Sequence, residues 1–204
     1  MRNTARFVSF VFHPIFLPTA GLLAIFSLNT YIAQTTPMPK QLFLVGWIFV
    51  NTTVIPLIFT LFLRWKNLVS SVHLHDRRER IVPIAFAFVL YLANYILLRD
   101  VPLPDVIYSL FLGSSIAVGA ALLFTFLTKI SIHMIGMGGL TASIYGVAQL
   151  YELPIVGFVM LGILVSGLVG SARYLLDSHD LRQIYLGWIT GFVTVYVPLI
   201  GGWG

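Results

Sequence analysis

The chain has 204 residues, 58% hydrophobic and only 9% charged, with a mean hydropathy of +0.94. A soluble domain carries about 25% charged residues, so this composition excludes a water-soluble enzyme and fits one polytopic membrane domain covering residues 1–204. With no cysteine, disulfides and thiolate chemistry are excluded, and the basic residues behind the net charge of +5 sit beside apolar runs, which points to anionic lipid as a partner and not to nucleic acid.

A helix that crosses a bilayer needs about 20 mostly apolar residues. In chain order the candidate spans are Phe7–Leu28, Leu42–Leu63, Ile81–Leu98, Val106–Leu127, His133–Leu150, Ile155–Leu176 and Ile184–Ile200. The first follows Met1-Arg-Asn-Thr-Ala-Arg-Phe7, a charged start like that of a signal peptide. No small-residue cleavage site follows it, so it reads as a retained span. Thr35-Thr-Pro-Met-Pro39, Arg99-Asp-Val-Pro-Leu-Pro104 and Glu152-Leu-Pro154 punctuate the runs. The expected fold is an all-α transmembrane bundle of six to seven spans, the fifth run being the weakest. Gly162, Ser166 and Gly170 recur at helix-packing intervals, as do Ser115 with Gly119, and Asn51, Asn94 and Gln149 are expected to hydrogen-bond between helices.

Alternation of the spans places Arg2, Arg6, Arg64, Lys66, Arg77, Arg78, Arg80, Lys129, Arg173 and Arg182 at one membrane face. Lys40 and Arg99 remain at the other, with Asp100, Asp105 and Glu152. The positive-inside rule makes the basic face cytoplasmic. His73, His75, His133 and His179 fall on that face, and His13 in the half of the first span nearest it. The segments 64–80, 128–132 and 177–183 are separated by even numbers of spans, so they are predicted to meet at one surface. Asp76-Arg-Arg-Glu79 reads as a capping box that opens the third span.

A charge inside hydrocarbon costs roughly 2.5–3.5 kcal/mol on insertion scales, so clustered Arg and His at a membrane edge mark a functional site. Arg173 offers a planar, permanent cation to phosphoryl oxygens, and a neutral His179 imidazole is a nucleophile toward phosphorus. A second histidine must protonate the departing oxygen, and His133 is the candidate. Lys129 and Ser131 add a cation and a hydroxyl, and Arg77, Arg78 and Arg80 a positive cradle. Arg77 and Arg78 equally suit lipid headgroups or topology, and His13, His73 and His75 suit a pocket wall or the interface.

These residues resemble the motifs of the type 2 phosphatidic acid phosphatase superfamily, the PAP2 membrane phosphatases. Arg173, His179, Gly187 and Gly191 follow the spacing of that family's third motif, with Trp188 after Gly187. Ile130-Ser131-Ile132-His133 stands where the second motif has Pro-Ser-Gly-His, and His73 to Arg80 weakly represents the first. The resemblance covers residues from about 73 to 191 and implies a PAP2-like, metal-independent phosphatase without a cofactor; the expected location is a bacterial inner membrane. It makes His179 the nucleophile and His133 the acid, with Arg80, Ser131 and Arg173 holding the phosphate of a lipid phosphate substrate. Gln183 stands where the family has an Asp that orients the nucleophile, and Asp180 or Asp177 is the nearest carboxylate. Two other classes stay open: a non-catalytic lipid-phosphate carrier or scramblase, favoured by Gln183, and a metal enzyme using His73, His75, Glu79, His133 and His179. The oligomeric state is not legible.

Overall fold

The computed structural model describes residues 1–70 and 77–203, and every regular element among them is helical. A bilayer dictates this, because backbone polar groups in hydrocarbon must be paired within the segment itself. The elements are α1 (Arg2–Val11), α2 (Leu17–Ser27), α3 (Tyr31–Thr35), α4 (Met38–Phe49), α5 (Ile55–Trp65), α6 (Ile81–Leu98), α7 (Asp105–Leu127), α8 (Ile132–Leu150), α9 (Ile155–Leu175) and α10 (Leu181–Gly201). Five helical stretches are long and apolar enough to cross a membrane: Met38–Trp65, Arg78–Leu98, Asp105–Leu127, Val156–Leu175 and Leu181–Gly201. Their large apolar side chains face outward, with Leu123, Leu127, Val156 and Met160 each more than 60% exposed. That is the surface of an integral membrane protein, not of a soluble one.

The stretch predicted as one span over Phe7–Leu28 is two helices. Pro14 lacks an amide hydrogen and biases His13 away from helical geometry, so the chain turns before α2 starts at Leu17. At this break the Ile15 carbonyl accepts the Thr53 hydroxyl at 2.8 Å. Thr53 lies in a π-helical turn, Val50–Val54, that joins α4 to α5. Pro56 explains the turn, since it cannot donate to the carbonyl four residues back and the helix widens locally. The second predicted span is therefore longer than expected, a continuous stretch of 28 residues.

The fifth predicted span, α8, is not among the five apolar stretches. It carries His133, three glycines at 136, 138 and 139, Thr141, Ser143 and Gln149, and it spends its surface on protein, packing against α2, α7, α9 and α10. Its pairing with α10 is backbone to backbone. A Cβ added to Gly191 would fall on the Ile135 carbonyl, and one on Gly187 would stand 2.7 Å from the Ser131 carbonyl. On α9, Ser166 accepts the Trp188 indole N–H at 2.9 Å, and a Cβ on Gly162 would lie 2.6 Å from Thr141. The Gly162, Ser166 and Gly170 stripe thus faces α8 and α10. Between helices, Asn94 accepts from the Trp47 indole at 2.7 Å and Gln149 from the Tyr196 hydroxyl at 2.6 Å. Asn51 instead donates to Trp47 O in its own helix.

The three polar segments meet at one end of the bundle. Arg77 Nη1 donates to Leu127 O at 3.0 Å, His179 Nδ1 to Lys129 O at 3.2 Å, and Ser131 N to Gln183 O at 3.4 Å. Helix α1 reaches the same end, where Arg2 pairs with Asp177 at 2.7 Å. Both of those side chains are well exposed, so the pair contributes at most about 1 kcal/mol.

Candidate functional site

His179 stands in the reversal between α9 and α10. Asp177 takes a left-handed conformation, φ 51°, which a short polar side chain tolerates, and Ser178 N donates back to Arg173 O at 3.2 Å. Asp180 then caps α10, its carboxylate accepting Gln183 N–H at 2.8 Å. This fixes the role of Asp180, offered above as an orienting carboxylate: it starts the helix that carries Gln183. His179 and Gln183, four apart, share one face of the first turn.

The His179 ring is buried, at 7% exposure. Its Nδ1 lies 2.9 Å from Gln183 Oε1 and 3.2 Å from Lys129 O. A backbone carbonyl only accepts, so Lys129 O decides the tautomer: Nδ1 carries the hydrogen and Nε2 holds the free lone pair. Burial, with the charges of Arg173 and Arg80 adding to it, lowers the His179 pKa to about 4 against the support of Gln183 and Lys129 O. At neutral pH the ring is an uncharged base with its nucleophilic nitrogen uncommitted among the described residues.

Cations surround it. Lys129, half-buried, has its pKa lowered first by burial and then by Arg80 and Arg173. Arg173 enters from the last turn of α9, and its Nε is buried with no hydrogen-bond partner among the described residues. Ser131 is the N-cap of α8 but does not cap with its side chain; its Oγ is fully buried and equally without a partner. The positive end of the α8 dipole lies beside it, a backbone geometry that favours anions. Lys129, Tyr174, Asp177, Ser178, His179, Asp180 and Gln183 line an open depression of about 400 Å³.

Of the candidate phosphate ligands, Arg173, Arg80, Lys129 and Ser131 thus belong to one end with His179. Arg77 donates to the Leu127 carbonyl at the end of α7, a helix C-terminus where a cation is favourable. His133 lies in the first turn of α8, its Nε2 3.1 Å from Ser9 O, so that this nitrogen carries a hydrogen and donates it to α1. His13 packs against the His133 ring, with centroids 5.2 Å apart. Of the two partners of His133, His13 was expected at a pocket wall or the interface, whereas Ser9 was not singled out in the sequence; Pro14, which opens the helix at His13, was the available signal. Glu79, expected in a capping box, accepts from Ser70 N and Oγ at 3.0 and 2.9 Å, while Asp76 lies outside the described residues. His73 and His75 also lie outside them, and no group of three or more His, Asp and Glu suited to a metal occurs among the described residues.

No protein-family model, curated protein or solved structure matches the chain.

Proposed function

We propose that the chain is a PAP2-like membrane phosphatase that crosses the bilayer seven times, counting α1 with α2 as one crossing and α8 as another. It hydrolyses a lipid phosphomonoester or polyprenyl pyrophosphate without a metal. The observation that carries this reading is the conjunction of two buried donors without a partner among the described residues, Arg173 Nε and Ser131 Oγ, with a neutral His179 whose Nε2 is the lone-pair nitrogen. A buried donor left without an acceptor costs about 1–3 kcal/mol, more when charged, and a phosphoryl group supplies acceptors for both.

In this reading the phosphoryl oxygens lie among Arg173, Ser131, Arg80 and Lys129, and His179 Nε2 attacks phosphorus. Gln183 keeps the proton on Nδ1 and the lone pair on Nε2, the orienting task of a carboxylate. An amide does not stabilise the imidazolium character that develops on attack as a carboxylate does. Lys129 O shares that burden as a second acceptor on the same N–H. The basic end faces the cytoplasm by the positive-inside rule.

A second reading is a lipid-phosphate carrier on the same site, favoured by the amide at Gln183. The test is phosphate release by the purified protein in detergent across phosphatidate, phosphatidylglycerophosphate, polyprenyl diphosphate and a lipid A phosphate, each with and without chelator. Release that survives chelator and is abolished by His179→Ala is expected. Binding without release selects the carrier, and release lost on chelation selects a metal enzyme.

A further inference from the structure

His13 lies outside the motifs of the resemblance, yet it touches the second histidine of the site. It occupies the break between α1 and α2, and its ring meets His133 edge to face, with planes 79° apart. His133 is held from another direction by Ser9 O, which accepts Nε2–H at 3.1 Å. A carbonyl cannot donate, so Nε2 keeps its hydrogen and Nδ1 is the nitrogen that gains and loses a proton. Arg173 and His179 lie within electrostatic reach of this ring. His13 Nδ1 accepts Ile15 N–H at 3.5 Å, so the His13 hydrogen sits on Nε2. One stretch of chain, Ser9 to His13, therefore grips a side chain on the first turn of α8 at two places. Without that grip an imidazole turns about two torsions, and proton transfer demands alignment.

We infer that His13 is a positioning residue that acts through His133, holding its ring so that Nδ1 delivers a proton to the departing oxygen. The inference rests on the phosphatase reading above. The lipid phosphate enters as a monoanion and passes its proton to His133 Nδ1; as His179 Nε2 bonds to phosphorus, the ester P–O bond breaks and the leaving oxygen takes that proton. Water then attacks phosphorus as the P–N bond breaks, its proton passing through His133 Nδ1 to the departing phosphate, and both histidines are restored.

An alkoxide needs that proton to depart, whereas 4-nitrophenolate does not, so the pair of leaving groups separates positioning from general damage. The test compares turnover of phosphatidate and of 4-nitrophenyl phosphate by the full-length protein in detergent. His13→Ala is expected to lower kcat on phosphatidate about tenfold or more, part of the 10²–10⁴ that general acid catalysis supplies, with KM and nitrophenyl turnover within about threefold of the parent. His13→Gln, which keeps a planar polar group at the break, is expected to show the same split at smaller size, and it carries the comparison if the alanine variant does not fold. Equal loss on both substrates, or loss on neither, overturns the inference while leaving the phosphatase standing. A parent that releases phosphate from none of the lipid phosphates overturns both.

Discussion

The two ends of the bundle treat their polar groups in opposite ways. Away from His179, Lys40 Nζ donates to Pro102 O, the Tyr108 hydroxyl donates to Val101 O and accepts Leu103 N–H at 3.0 Å, and Gln41 donates to Ala33 O and Thr36 O at 2.9 and 2.8 Å. These bonds tie loops to helix ends. At the basic end, Arg173 Nε and Ser131 Oγ are buried without partners among the described residues, and Lys129, Arg80 and Arg173 crowd one another around a neutral histidine. Elsewhere the described groups buried without a partner are neutral: the hydroxyls of Ser9, Thr19, Thr36 and Ser109 and the amide nitrogen of Asn94. Arg173 is the charged one. Most polar groups that serve the fold are satisfied within it, and in the proposed function the unsatisfied charged donor awaits a phosphoryl oxygen.

The largest effect that would sharpen this contrast is at Arg173. Arg173→Met should reduce phosphate release about 10³-fold, the scale of a lost charge-stabilising donor, while its thermal midpoint in phosphate-free detergent stays level or rises. A drop in that midpoint would mean that the guanidinium serves the fold. Next, inorganic phosphate should stabilise the parent by about 2.7 kcal/mol at a hundredfold excess over its dissociation constant, and leave Arg173→Met unmoved. Differential scanning fluorimetry reads this directly. At the other end Tyr108→Phe strips two backbone groups of a shared partner and should destabilise by about 1–3 kcal/mol, with turnover per folded molecule unchanged.

The smallest effect expected is in the pH profile. His179 has its pKa lowered to about 4 from 6.5, so the ring stays unprotonated and nucleophilic well below neutrality. The fall in kcat/KM caused by protonating His179 should therefore lie close to pH 4; an acid limb near 6.5 would place His179 outside the reaction or outside its buried setting. For stability the sign is the reverse of a paired histidine. Between pH 6.5 and about 4 the unfolded chain binds this proton and the native protein does not. Stability contributed through His179 therefore falls as pH drops through that window, by at most about 1.4 kcal/mol per unit.

The all-helical fold and most of its long helices were legible because lipid demands continuous apolar runs, and α6, α7, α9 and α10 begin and end within a few residues of those runs. Hydropathy could not separate α1 from α2, since Phe12, Ile15 and Phe16 keep the run apolar across the Pro14 break. Nor does it record that α8 faces protein on most sides, which is why Gly138 and Thr141 are affordable there. At the candidate site, the meeting of His179 with Gln183 was readable from their spacing within one segment. The Lys129 carbonyl on His179 and the Ser9 carbonyl on His133 were not, because a backbone acceptor has no signature in residue type and arrives only through packing. Arg77 shows the converse: its side chain suited a phosphate, but the end of α7 lies closer to hand.

The central claim, that His179 Nε2 attacks phosphorus, is tested most directly by rapid quench of the purified protein with a ³²P-labelled lipid phosphate in the presence of chelator, followed by mapping of the label. The expected result is an acid-labile, alkali-stable phosphoryl group on residue 179 that forms and decays at the rate of turnover and is absent from His179→Ala. Turnover by His179→Ala within about tenfold of the parent, or label on any other residue, would contradict it.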